Sequence, residues 1–417
     1  MPLDTTTFHN VINGQLTSTS NTRHSLDPAT KKQNPAVPAC LAYADTLEAN
    51  KDALAALLTQ EQGKPLDQAA VEVGTAVTWA RQLPTIEIRA NVIQDKEECR
   101  IMIPAVYTGN TVIVKPSPFT PYCALKLAEL AIPHFPPGVV QALSGGDDLG
   151  PMVTEHPGID KISFTGSTAT GKRVMASASK RSSALRLSWA ATTPRSSATT
   201  SISTRSSPAY LAILSFLTSS QICMMIKRLY VHEKIYDAFL QKFVAFDANF
   251  KVGAGTQEGV FIGPVQNEMQ YEKARNLFSS IRSENLTPAL GGTITESDGY
   301  FIPPTIIDNP PETSCVAQEE PFAPILPVLK WSDEDEVIAR ANASDSALAA
   351  SVWSPDMERA QRIAGQLAGG SVWINSHFEV SPFAPFGGHK SSGIGVEWGL
   401  TELLGYCNSQ TVWVKKA

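Results

Sequence analysis

Apolar residues recur at helical spacing over residues 40–82, with Leu41, Ala44, Leu47, Leu54 and Leu58 on one stripe, until Gly63-Lys64-Pro65 breaks the pattern. The period then changes. Residues 111–114 are a short β-branched run ending in Lys115-Pro116-Ser117-Pro118, and 121–132 return to helical spacing before Pro136-Pro137-Gly138 stops them. Residues 139–143 predict a strand followed by Ser144-Gly145-Gly146. Residues 159–164 predict another, followed by Thr165-Gly166-Ser167-Thr168-Ala169-Thr170-Gly171 and a helix. Strand, glycine turn and helix in repetition predict a parallel α/β sheet. Ahead of these elements, residues 8–15 read as a hairpin tip. Beyond Tyr210, residues 231–250 predict a helix, strands alternate with helices to about residue 370, and 411–415 are strand-like.

Residues 182–209 follow neither period: half of these 28 positions are Ser or Thr. Charge sharpens the anomaly. From Lys161 through His232 there is no Asp or Glu but ten Lys or Arg; the whole chain has 34 basic and 40 acidic residues, so the remainder stands at 24 against 40, or −16. A basic block attracts anions. Aromatics are sparse in this one, with only Trp189 and Tyr210 between Phe164 and Phe216, which argues against a nucleic-acid partner.

The 417 residues predict two or three domains at roughly 100–200 residues each. A hydrophobic share of 43% with 18% charged residues excludes disordered, collagen-like and small disulfide-bonded classes. No apolar run reaches the roughly 18–20 residues of a membrane span, and residues 211–217, among the longest, are broken by Ser215. The first residues lack a charged-then-apolar leader, and six cysteines without a CxxC pair fit free thiols, so a cytoplasmic address is expected.

Candidate chemistry lies in three places. The turn after Phe164 opens a helix and could offer backbone N–H groups to a phosphate, or be an ordinary βα turn, since its spacing is not G-x-G-x-x-G. Cys223 is followed by Lys227 and Arg228, and a nearby cation raises the thiolate fraction, although a lone cysteine in an apolar stretch is commonly a small buried hydrophobe. Glu319-Glu320 could bind ribose hydroxyls or be solvated. The seven histidines show no metal-ligand spacing.

Together the motifs carry more than singly. Lys-Pro-Ser at 115–117, Phe-Thr-Gly-Ser at 164–167, Ser-Gln-Ile-Cys at 220–223, Glu-Glu-Pro-Phe at 319–322 and Pro-Phe-Gly-Gly-x-Lys-x-Ser-Gly at 385–393 occur in an order that strongly resembles the aldehyde dehydrogenase superfamily, from about Asn13 onward. The 56-residue step from Ser167 to Cys223 is also like the family's. The resemblance implies an α/β fold: a Rossmann-type NAD(P)-binding domain over 1–188, an α/β catalytic domain over 189–395, and an oligomerisation strand over 396–417 packing near the cofactor domain. It implies NAD(P)-dependent oxidation of an aldehyde to a carboxylic acid through a thiohemiacetal and a thioester on Cys223. Lys115 and Ser117 would hold the adenosine ribose, Gly166 and Ser167 would lie by the pyrophosphate, and Glu320 would grip the nicotinamide ribose beside Phe322. Pro118 stands where an acid often selects NAD, which leaves NAD and NADP both open.

The sequence also departs from the family. Its general base is a glutamate in Glu-Leu-Gly-Gly, about 34 residues before the cysteine; here that place reads Leu187-Ser188-Trp189-Ala190-Ala191-Thr192, with no carboxylate to take a proton. No Trp-Asn occurs anywhere, and between Cys99 and Tyr107 roughly 25–30 expected residues, with the family's oxyanion-stabilising asparagine, are absent. A comparable gap lies near 38–41, and loss of the strand before Tyr107 argues against the homo-oligomer the resemblance implies. One account covers the aberrant segment. Read from the third base of the Leu187 codon, permissible codons spell Glu-Leu-Gly-Gly-Asn-Asp-Pro-Ala-Ile-Ile-Cys-Asp-Asp-Val-Asp-Ile-Asp, as a compensated frameshift would produce. The expectation is an aldehyde dehydrogenase with impaired turnover; the alternative is a non-catalytic nucleotide-binding or interaction protein on the same scaffold, with segment 186–209 poorly packed or ordered only by its neighbours.

Overall fold

Asn13 and Gly14, at φ 50° and 73°, close the two-residue turn between β1 (Asn10–Ile12) and β2 (Gln15–Thr17), the backbone an Asn-Gly hairpin demands. Coordinates come from a computed structural model that describes residues 10–17, 36–86, 102–180, 187–192, 200–203, 208–295, 297–408 and 413, with 187–192 and 200–203 described by backbone alone. β3 (Val112–Val114) and β4 (Val140–Ala142) pair in parallel across the helix Tyr122–Ala131, and β1 adds antiparallel to β4. The order is β2-β1-β4-β3.

The apolar stripe over 40–82 folds as three helices, Ala36–Ala49, Lys51–Gln62 and Leu66–Gln82. The expected break at Gly63 is there: it caps the second helix at φ 76° and donates its N–H to the Thr59 carbonyl at 2.8 Å. A further break falls at Asn50, whose N–H and side-chain amide turn back onto the Leu47 and Thr46 carbonyls. These helices bury Tyr43, Ala44, Leu47, Leu54 and Val77 with Val11, Leu125 and Val140. Leu403, from the late helix Gly399–Gly405, enters the same core.

β5 (Ile162–Ser167) and β6 (Leu187–Thr192) form a separate parallel pair, registered from Ile162 opposite Leu187 to Ser167 opposite Thr192. This pairing carries the strand past Phe164, where the sequence pattern ends it, so that Thr165, Gly166 and Ser167 are strand and the helix Thr168–Ala178 starts at once.

The third sheet contains β7 (Thr200–Ser203), β8 (Arg228–His232), β11 (Pro288–Leu290), β12 (Thr305–Asp308), β13 (Ile325–Trp331), β15 (Ala349–Trp353) and β16 (Ser371–Ile374), in the order β11-β12-β13-β8-β7-β15-β16. All neighbours in it are parallel except β11 with β12. Two small pairs complete the described strands: parallel β9 (Lys251–Val252) with β10 (Val260–Ile262), and antiparallel β14 (Ser346–Ala347) with β17 (His389–Lys390). Alternate residues of the central strands enter opposite cores: Leu229 and Val231 with Leu326 and Val328 on one face, Tyr230 with Leu329 and Trp331 on the other. That two-sided burial makes 228–232 a strand, although the sequence pattern starts a helix at Val231; the helix Glu233–Asp247 begins after it, with the His232 ring accepting the Lys234 N–H.

The irregular segment 182–209 therefore contributes β6 to one sheet and β7 to the middle of another, each ordered against its neighbours' backbones. The strand-like run at 411–415 lies outside the described residues apart from Trp413. Among the described residues no helix is long and apolar enough to cross a membrane, and no cluster of three His, Cys, Asp or Glu is placed to hold a metal.

Candidate active site

The loop that delivers Cys223 is strained and heavily anchored. After the helix Pro208–Phe216, Thr218, Ser219 and Ser220 adopt φ of 52°, 55° and 59°, a left-handed run without a glycine. Each such residue costs on the order of 1–3 kcal/mol, so the surroundings must hold the run in place. They do so through hydroxyls and one glutamine. The N–H and Oγ1 of Thr218 both donate to Gln68 Oε1, at 2.8 and 3.1 Å, Ser219 Oγ donates to the Gly263 carbonyl at 2.9 Å, and Ser220 Oγ donates to the Ser215 carbonyl. Gln221 is held from both ends, accepting the Gln266 N–H at 2.9 Å and donating to the Pro264 carbonyl at 3.2 Å.

Cys223 is half-buried, and it packs with Met224 beside Trp79, Leu348, Val380, Phe386 and Trp398. Buried His377 fixes the far side of the loop, its Nε2 standing 2.8 Å from the Met224 carbonyl. A carbonyl only accepts, so Nε2 carries the hydrogen and the ring is neutral; burial lowers its pKa to about 4.

Glu320 approaches on a second built turn. Asn267 caps the helix Glu268–Ser283, and that helix reaches down with Gln270 Nε2 donating to the Pro321 carbonyl at 2.7 Å and Lys273 Nζ donating to the Glu320 carbonyl at 2.9 Å. Phe322 is held at φ 47°. The Glu320 carboxylate is buried, and its Oε1 lies 4.0 Å from the equally buried Lys227 Nζ. Lys227 also donates to the Ser220 carbonyl and stands 4.9 Å from the centre of the Phe322 ring. Burial pulls the Lys227 ammonium below the usual lysine range, while Glu320 and Cys223 pull it back up. The structure thus brings Cys223, Glu320 and Phe322 around one buried lysine.

Lys115, Ser117, Gly166 and Ser167 lie at the ends of β3 and β5. Lys115 Nζ donates to the Pro116 carbonyl at 2.7 Å, and Ser117 Oγ accepts the Phe119 N–H at 3.2 Å. Ser167 caps the helix Thr168–Ala178, accepting the Thr170 N–H at 3.1 Å, and no acid occupies the helix's first turn. A Cβ on Gly166 would meet the tip of the half-buried Phe164 ring at 2.5 Å, so a larger residue there would have to displace that ring. Two ties join these elements to the cysteine side: Gln266 Nε2 donates to the Phe119 carbonyl at 3.1 Å, and Thr168 Oγ1 donates to the Ser391 carbonyl at 2.9 Å. A lysine and a serine after one strand, a helix N-terminus after another and a buried carboxylate form a donor set that fits a dinucleotide: ribose hydroxyls, pyrophosphate and a second ribose. A cavity of about 470 Å³, lined by Lys227, Arg228, Cys315, Glu319, Glu320 and Arg340, opens beside the Glu320 turn. A second, open hollow of about 510 Å³ between Val252 and Pro303 has no titratable side chain on its wall.

Comparison with known proteins gives the family. Residues 98–412 match the model of the aldehyde dehydrogenase family. The chain is 36% identical to aldehyde dehydrogenase LUC3 of a Fusarium species, over 99% of its own length and 100% of the relative's. This chain belongs to the aldehyde dehydrogenase family. Its fold is likewise similar to the NAD+ complex structure of aldehyde dehydrogenase from Bacillus cereus (28% identity, TM-score 0.86, covering 98% of this chain and 96% of that one). It is similar too to the NAD-dependent aldehyde dehydrogenase from Sinorhizobium meliloti (26% identity, TM-score 0.83, 91% and 82% covered).

Within the family this chain is short. Its alignment with the Fusarium relative runs over 468 positions against 417 residues here, so at least 51 positions have no residue in this chain. The strand β6, where the family's base was sought, lies directly beside the Gly166–Ser167 end of β5 and brings no carboxylate there. Sequence reasoning missed His377, Gln270 and Lys273, which act through backbone carbonyls of residues distant in the chain. It noted Lys227 only as a cation near Cys223, whereas its link to Glu320 spans 93 positions and leaves no local pattern.

Proposed function

We propose that this aldehyde dehydrogenase oxidises an aldehyde to a carboxylic acid with Cys223 as nucleophile, and that its second half-reaction, thioester hydrolysis, is impaired. The observation that carries this reading is the meeting of the Cys223 loop and the Glu320 turn on Lys227, beside an apolar surround suited to the body of an aldehyde. The Cys223 thiolate attacks the carbonyl carbon; a C–S bond forms, the carbonyl π pair moves to oxygen, and a thiohemiacetal results. NAD or NADP, when bound, supplies the hydride acceptor. Lys115 and Ser117 would hold its adenosine ribose, Gly166, Ser167 and the helix after them its pyrophosphate, and Glu320 and Phe322 its nicotinamide ribose. The NAD+ named for the Bacillus relative supports NAD, while Pro118 leaves NADP open. Loss of hydride leaves a thioester on Cys223, and release of the acid needs a water relieved of its proton. No Asp or Glu occurs between Lys161 and His232 to act as that base, so the acyl group lingers.

The division we propose is a cofactor domain over 1–188, a catalytic domain over 189–395 and an extension over 396–417, with the change of sheet falling a few residues past the first boundary, after Thr192. We place the protein in the cytoplasm, acting on a small-molecule aldehyde, with oligomer formation weakened by the shortened segment before Tyr107.

The test is absorbance of the reduced nicotinamide when the purified chain meets NAD+ or NADP+ and a panel of aldehydes. Cys223→Ala is expected to abolish the signal; an unchanged rate would remove the assigned nucleophile. The missing carboxylate also favours a second reading, a nucleotide-binding protein without catalysis. Dinucleotide binding with no reduced nicotinamide from any aldehyde would select it.

A further inference from the structure

Lys227 joins the two halves of the site. It lies four residues after Cys223, just before β8, with only 3% of its side chain exposed. An ammonium buried this deeply is costly unless paired; one of its hydrogens goes to the Ser220 carbonyl within the strained loop, while Glu320 Oε1 lies at 4.0 Å and the Phe322 ring at 4.9 Å. The charged groups that act on it are Glu320 and Cys223, which favour its protonated form, and Lys273 from the helix Glu268–Ser283, which opposes it. Taking the assignment of Cys223 and Glu320 under the proposed function, we propose that Lys227 is a positioning residue for the nucleophile. It holds the cysteine loop through Ser220, and it supplies the cation that favours the Cys223 thiolate, with Glu320 as its counter-charge.

Reactivity of the thiol tests this without any turnover. The full-length chain is alkylated with iodoacetamide across a pH series, with and without NAD+, and modification of Cys223 is read by peptide mass mapping. Lys227→Met is expected to move the midpoint of Cys223 alkylation up by about one pH unit, slowing labelling about tenfold near neutral pH. Lys227→Arg restores most of the rate, which a loss of packing alone would not allow, and Glu320→Gln, which removes the carboxylate that favours the lysine's protonated form, also moves the midpoint up. A Lys227→Met protein that unfolds at the wild-type temperature and keeps the wild-type midpoint overturns the proposal. Should that variant not fold, an unmoved midpoint in Glu320→Gln overturns it equally. A Lys227→Met shift with no effect of NAD+ on any of the proteins supports the lysine's role and counts against the cofactor reading instead.

Discussion

The Cys223 loop and the strand β6 are built to different standards. Around Cys223, three non-glycine residues are held left-handed by Gln68, Gly263 and Ser215, Gln221 is gripped at both ends, and His377 fixes the next carbonyl. Strain of this size persists only where surrounding structure over-determines it. β6 lies in register with β5 up to its Gly166–Ser167 end, has one strand neighbour among the described residues, and reads Leu-Ser-Trp-Ala-Ala-Thr. Position is thus inherited through backbone pairing, which tolerates nearly any residue, whereas chemistry requires a particular side chain. The loop of the proposed nucleophile is built in detail, and the six residues of β6 include no carboxylate.

The largest effect should come from removing that difference. Replacing residues 187–203 by the shifted-frame reading that begins Glu-Leu-Gly-Gly should raise steady-state turnover by about 10²–10⁴-fold, the usual worth of a positioned general base. Turnover that stays at the wild-type level in a folded, nucleotide-binding chimaera would mean that β6 is not where the missing group acts.

A smaller effect probes the better-built side. The folded-state pKa of His377, about 4, lies below its ordinary 6.5, so the unfolded chain binds more protons between those values. Stability from this residue is full above about pH 6.5 and is lost as pH falls toward 4. The loss between pH 7.5 and 5.5 should be about 1 kcal/mol. Chemical denaturation at the two pH values measures it, and His377→Asn should flatten the dependence while keeping a donor for the Met224 carbonyl. An identical slope in that variant would assign the titration elsewhere.

Much of this was legible in the sequence. The motif order gave the family, and the stripe over 40–82 gave helices because one face of each is buried. The strand at 228–232 was hidden because burial on both faces erases alternation, and Arg228 at its start disguises it further. β7 was hidden for a different reason: Thr200–Ser203 reads as irregular polar chain, and its place between β8 and β15 comes from backbone hydrogen bonds its neighbours offer. Of the site, the sequence offered the motif residues Lys115, Ser117, Gly166, Ser167, Cys223, Glu320 and Phe322 as candidates. The clamps Gln270, Lys273 and His377 were not among them, since each acts on a main-chain carbonyl 47 to 153 positions away.

The central claim is that this chain keeps the thiol half of the mechanism and lacks the base for the hydrolytic half. Rapid mixing of the full-length chain with NAD+ and an aldehyde it accepts, followed by the absorbance of the reduced nicotinamide, tests this most directly. The account predicts a burst of about one equivalent per chain followed by a far slower steady rate, because the thioester accumulates on Cys223. Fast linear turnover with no burst would contradict it.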